Sequence, residues 1–319
     1  MFRVPTLAAA LAISVSAYAA DPQVFAPGEI SGPGSEDCLN LTPDGDTAIY
    51  DLSNGPNNFI VISHRQGGHW SRPEIAPFSG QWSDGDVALS PDGRYAIFVS
   101  NRPATPGGPP AGDSSGALWR VDRTSAGWGE PRRLPDTVNP THMSTHSPTI
   151  ATPSIAADGT LYFMKRDEHQ QLHIFRSEYR DGSYGPAVEQ VLGNPADPQL
   201  DPAIAPDQSF LVFTSLPAGS KGPARMSIAF REGDHWGQPA DLGDGVNAGN
   251  WPWGPHVGPD GRTLYYVTNR SVPVSYPRSR EQAEQDFARL QSWDNGQSNI
   301  WSLSLAPWID AHRAGNPAT

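Results

Sequence analysis

The sequence predicts an all-β chain folded as a single β-propeller of four-stranded blades. Three observations carry this: a hairpin motif that occurs five times, four times as Asp-Gly and once as Asp-Gln, an apolar strand that follows each copy, and a Trp-x-x-Pro element beyond that strand. Composition agrees, since 32 Gly and 33 Pro among 319 residues make a chain far too turn-rich for a helical bundle.

The hairpin motif is plainest where Ser90-Pro91-Asp92-Gly93-Arg94 leads into Ile97-Phe98-Val99, and where Gly258-Pro259-Asp260-Gly261-Arg262 leads into Leu264-Tyr265-Tyr266. Weaker copies begin at Thr42-Pro43-Asp44-Gly45, Ala157-Asp158-Gly159 and Ala205-Pro206-Asp207. Asp-Gly supplies the positive-φ residues of a tight turn, so each copy joins two strands as a hairpin. Third strands are expected at Phe59 to Ile62, Leu118 to Val121, His173 to Arg176, Met226 to Ala229 and Asn299 to Leu303. Fourth strands are expected around Trp70 to Pro73, Trp128 to Pro131 and Trp236 to Pro239, with Tyr184-Gly185-Pro186 as a shortened copy. Proline suits an outer strand because it lacks the donor that an inner ladder needs.

The turn aspartates Asp44, Asp92, Asp158, Asp207 and Asp260 are spaced by 48, 66, 49 and 53 residues, which gives five blades. Six is the alternative and requires a degenerate blade in the longest interval, where Pro103 to Gly116 and Thr137 to Thr152 read instead as loops. The last unit has no Trp-x-x-Pro element, so Phe25 to Ile30 is expected to complete it and close the ring. The propeller then spans 21–310, interrupted by an amphipathic helix about 279–293 with Ala283, Phe287 and Leu290 on its apolar side, and followed by a tail, 311–319.

Arg3, the apolar run Leu7 to Val15 and Ala17-Tyr18-Ala19 have the pattern of a cleaved export signal over 1–20, which places the mature protein in the periplasm or outside the cell. No later segment is long and apolar enough to span a bilayer. A net charge of -12 argues against a nucleic-acid partner, and the single Cys38 excludes an intramolecular disulfide; it reads as a small buried hydrophobe.

The repeats, together with Leu242-Gly243-Asp244-Gly245-Val246-Asn247 and the closing Asn295-Gly296-Gln297-Ser298-Asn299-Ile300-Trp301, resemble the TolB-type propeller repeat of exported bacterial proteins over residues 22–310. Asn299 stands where that pattern has Asp, and Ala157 and Gln208 replace turn Pro and Gly. The resemblance implies a fold more than a function, because such repeats serve scaffolds, gating modules of peptidases and proteins of unknown role.

Catalytic motifs are weak. Gly112-Asp113-Ser114-Ser115-Gly116 matches a nucleophile elbow but sits in a Pro/Gly-rich loop that leads to a strand, not a helix. His142 and His146 have helical metal-ligand spacing but lie between Pro140 and Pro148, which reads as solvated loop. More informative are the residues just before each innermost strand, at one mouth of the channel: Glu36 and Asp37, Asp84 and Asp86, Ser147 and Thr152, Gln199 and Asp201, Trp251 and Trp253. Glu36, Asp84, Asp86 and Asp201, with Trp251 and Trp253 as a wall, are the candidate ligand site. Such carboxylates could hold a cation such as Ca2+, act as an acid/base pair, or accept from neighbouring backbone amides and tie the ring together. No other cofactor is expected. The leading function is a non-enzymatic exported module that binds a protein, peptide or glycan; the alternatives are a glycan-active hydrolase or lyase using the acidic channel, and a purely structural propeller.

Overall fold

The computed structural model describes residues 21–55, 57–105, 107–110, 116–139, 150–216, 224–247, 251–270 and 272–315. Residues 1–20, expected to be an export signal, Ser114 and the loop with His142, His146 and Ser147 lie outside them.

Five antiparallel blades follow one another along the chain. Their innermost strands are Ser35–Leu41, Asp84–Leu89, Ile150–Ile155, Gln199–Ile204 and Trp253–Val257, and each touches the innermost strand on either side, so the ring is closed. Second strands run Thr47–Asn54, Tyr95–Ser100, Leu161–Arg166, Phe210–Ser215 and Thr263–Thr268. Third strands run Asn57–Gln66, Ala117–Thr124, Leu172–Ser177, Arg225–Glu232 and Asn299–Ser304.

The turn aspartates explain why the hairpins form. Each accepts at Oδ1 from the N–H two residues on: Asp46 to Asp44, Arg94 to Asp92, Thr160 to Asp158, Ser209 to Asp207 and Arg262 to Asp260, at 2.9 to 3.1 Å. The intervening residue is left-handed, with φ from 60° at Gln208 to 85° at Gly159. Gln208 shows that the Asp, not the Gly, is what the turn cannot lose.

Two elements differ from expectation. The fourth strand is broken in blades one, two and four: His69–Trp70 and Glu74–Ile75 both pair with Asn57–Gln66, and the same division recurs at Gly127–Trp128/Arg132–Arg133 and His235–Trp236/Ala240–Asp241. The proline of each Trp-x-x-Pro falls in the break, where no donor is needed. The closing strand is Gln23–Val24, not Phe25 to Ile30; it pairs with Trp301 and Ser302, and Phe25 N–H adds a last bond to Ile300. Ala26 at φ 43° and the following Pro27-Gly28 turn the chain away, which ends the strand early.

Each blade packs on the next through its own apolar layer. Ile49, Ile60, Phe98 and Val121 meet between blades one and two, and Phe210, Met226, Tyr266 and Leu303 between four and five. Tyr50, Val61, Val267 and Ile300 seal blade five against blade one. Fully burying each such side chain is worth about 1.5–3 kcal/mol, so the ring is held chiefly by these layers. The helix Arg280–Arg289 carries a capping box from Ser279 and Gln282 but buries none of its residues; Phe287 and Leu290 face outward. A further helix, Ala306–Arg313, extends past the expected end of the propeller and seats Trp308 and Ile309 on the layer between blades four and five.

Candidate functional site

The innermost strands all carry the same irregularity. Each breaks register with its neighbour at a bulge, and each bulge holds one left-handed residue: Cys38, Asp86, Thr152, Asp201 and Gly254, with φ between 46° and 53°. Only the glycine adopts that conformation freely; four side-chain-bearing residues do so at a cost of about 1–3 kcal/mol each, the kind of strain that marks a built site.

Carboxylates gather on these bulges. Asp86 N–H donates to Asp51 Oδ2 and Thr152 N–H to Asp86 Oδ2 at 3.2 Å, so blade one is stapled to two, and two to three. Gly254 N–H similarly supports Asp201, joining blade five to four. Asp37 accepts from Cys38 N–H at 2.7 Å and from the Trp253 indole at 2.7 Å, and a Cβ at position 254 would collide with its Oδ1. Gly254 is thus required twice, by its φ and by the carboxylate against it.

The electrostatics are one-sided. Burial pushes Asp201 up to about 7, with the charges of Asp86 and Asp37 adding to it and the Gly254 amide opposing. Burial likewise raises Asp37 to about 6, helped by Asp86, and holds Asp51 well above the carboxylate range, helped by Asp86 and Asp37. Asp37 and Asp51 are direct cross-strand partners, a like-charge pairing that is unfavourable unless something neutralises it. The Cys38 thiol is driven up by burial and then by Asp37, Asp51, Asp86 and Asp201.

No family model matches the chain, and no curated protein matches it. Among solved structures it is similar to the putative TolB of Agrobacterium tumefaciens, 16% identical over 85% of this chain and 91% of that one at a TM-score of 0.46. It is also similar to TolB of Acinetobacter baumannii, 19% identical over 65% of this chain and 46% of that one at 0.40. An α-L-arabinofuranosidase of Lactobacillus brevis, 11% identical, aligns over 86% of this chain and 90% of that one at 0.49.

The structure separates the candidate residues into different places. Asp86 and Asp201 occupy bulges and face the axis, whereas Glu36 and Asp84 lie two residues earlier and do not stand with them. Asp84 is fully buried and paired with Arg102 at 2.7 Å, with Ser79 donating at 3.0 Å; Arg102 also reaches Phe78 O and lies over the Phe98 ring. It is a tie between elements of blades one and two, closed to the channel. Gln199, at the matching place in blade four, donates from Nε2 to Leu192 O at 2.6 Å. Trp253 belongs to the axial cluster through its bond to Asp37, while Trp251 is 45% exposed.

Glu36, 2% exposed, lies instead in the wall of a cleft of about 720 Å3 between the loop that follows the closing strand and blade one. Tyr50, Phe59, Trp70 and Arg72 line it beside the glutamate. Gly32 and Gly34 wrap the carboxylate so tightly that a Cβ on Gly34 would press on Leu52. Burial lifts Glu36 to about 7 against the backbone N–H groups of Gly32, Glu36 and Gly34, and among the described residues Oε2 has no hydrogen-bond partner.

The sequence reads Cys38 as a small buried hydrophobe and gives Asp51 no role, yet both belong to the axial cluster. The signal for Cys38 was there: the intervals from Cys38 through Asp86, Thr152 and Asp201 to Gly254 are again 48, 66, 49 and 53. Asp51 carries no such mark, only its position as a charge inside an apolar second strand.

Proposed function

We propose that the chain is an exported, non-enzymatic propeller that binds a peptide or glycan in the cleft beside Glu36. The observation that carries this is the enclosed, unpartnered Oε2 of Glu36 at the edge of an aromatic-walled cleft. A buried acceptor left unpaired costs about 1–3 kcal/mol, which a ligand supplying an N–H or O–H would recover. Phe59 and Trp70 offer apolar faces for the rest of such a ligand, and Arg72 a donor for its polar groups. The acidic balance of the chain fits a partner without phosphate charge.

Calorimetry against a panel of oligosaccharides and short peptides tests this, with Glu36→Gln and Trp70→Ala as variants. Binding by the wild type that weakens at least tenfold in both variants is the expected result. Ligands bound equally by all three proteins would remove the cleft from function, and turnover of any panel glycan would reassign the molecule to glycan hydrolysis. Export is tested separately by N-terminal sequencing of the native protein, which should begin at Ala20 or Asp21.

A further inference from the structure

On the propeller axis, away from the Glu36 cleft, Cys38 Sγ and one carboxylate oxygen each of Asp51 and Asp86 lie within 4.8 Å of one another. Cys38 is 1% exposed and Asp51 5%, while Asp86 is half-buried. The backbone N–H groups of Asp86 and Val87 support the Asp51 carboxylate, but among the described residues its Oδ1, fully enclosed, has no hydrogen-bond partner. We propose that Cys38, Asp51 and Asp86 form a binding site for one divalent transition-metal ion of the zinc type.

Three features favour it. Asp37 and Asp51 are cross-strand partners, Asp86 is tied to Asp51 through its own amide, and among the described residues no ion pair or hydrogen bond from a Lys or Arg reaches Asp37, Asp51 or Asp86. Uncompensated buried charge of one sign is expensive, and a divalent cation neutralises it where no side chain does. The ligands are also pre-set: Cys38 and Asp86 sit at left-handed bulges, and the Thr152 and Asp86 amides each fix one carboxylate oxygen of Asp86 and Asp51. A tetrahedral ion with ligand distances of about 2.0–2.3 Å needs its ligands about 3.5 Å apart, so modest side-chain rotation closes the set and leaves a fourth position toward the channel.

Thiolate with two carboxylates selects a borderline ion over a hard one. Ca2+ would use oxygens alone and leave Cys38 a bystander. Because the thiol must lose its proton, binding releases protons and tightens as pH rises.

Metal-free full-length protein titrated with Zn2+, Ca2+ and Co2+ decides the matter. The expected result is one tightly held Zn2+ per chain, and a Co2+ form with a near-ultraviolet thiolate-to-metal band. Cys38→Ser should abolish that band and weaken Zn2+ at least tenfold; Asp86→Asn should weaken Zn2+ while far-ultraviolet circular dichroism stays unchanged. Zn2+ held equally by Cys38→Ser, Ca2+ held more tightly than Zn2+, or no ion held by the wild type would each overturn the assignment. Ligand binding at the Glu36 cleft is measured independently, so either site can fail alone.

Discussion

Asp84 and Arg102 illustrate how a buried charge behaves when it does have a partner. The pair is almost fully enclosed and its remaining lone pairs are met by Ser79 and nearby groups, so removing one member strands the other. Arg102→Leu is expected to lose about 3–5 kcal/mol in urea unfolding, with part recovered by adding Asp84→Asn, which no longer carries a charge to strand. His256 gives a second residue-level expectation. Burial on the innermost strand of blade five lowers it to about 4 from an ordinary value near 6.5, so between those limits the unfolded chain binds the extra proton and stability falls as pH falls. At about 1.4 kcal/mol per unit the loss amounts to about 3 kcal/mol. Asp201, raised to about 7, tilts oppositely: its contribution is present below about 4 and is lost as pH rises toward 7. The difference in stability between wild type and His256→Leu, measured from pH 7 to 4, isolates the histidine and should shrink as acid is added; a difference that stays constant would contradict the buried neutral ring.

Among the elements, the strand Gln23–Val24 is small but irreplaceable, because it covers the open edge of Asn299–Ser304. Deleting residues 21–25 should remove the backbone pairing and the Phe25 contacts with Trp70 and Tyr265, at a cost of several kcal/mol, and expose an edge able to pair with a second molecule. Lower thermal stability together with dimers in light scattering is the expected outcome; a monomer as stable as the parent would refute it. The helix Arg280–Arg289 should behave in the opposite way. Since it buries no side chain, Ser279→Ala should speed hydrogen exchange in that segment by the loss of about 1 kcal/mol of capping and leave the global melting temperature where it was.

For the molecule as a whole, five blades sealed by five apolar layers should unfold in one transition, seen alike by tryptophan fluorescence and circular dichroism, and removal of the closing strand should split the two curves. The architecture was legible in the sequence because every hairpin is encoded locally by an Asp that accepts from its own turn, repeated at a countable interval. The axial site was legible only in part. Asp86 and Asp201 announced themselves as acids before apolar strands, but Glu36 and Asp84 share that description and face elsewhere. The difference is two positions along a strand with a bulge, and the bulge, a register slip that re-aims side chains, leaves no compositional trace. Asp51 reaches the axis only through cross-strand pairing with Asp37, a relation fixed by register.

The pairing of Val24 with Trp301 has a consequence for how the molecule comes into being. The two partners stand at opposite ends of the propeller sequence, so the first strand synthesised must wait for the third strand of the last blade. Blades one to four can each form from neighbouring sequence, but the seal between the ends is the most non-local contact in the ring and the slowest to reach by chain diffusion. Until it forms, an emerging chain carries one unpaired strand edge and an unsealed layer between blades five and one, surfaces on which chaperones or other nascent chains would act. Closure of the ring is therefore the last step of its folding, timed by the arrival of Asn299–Ser304.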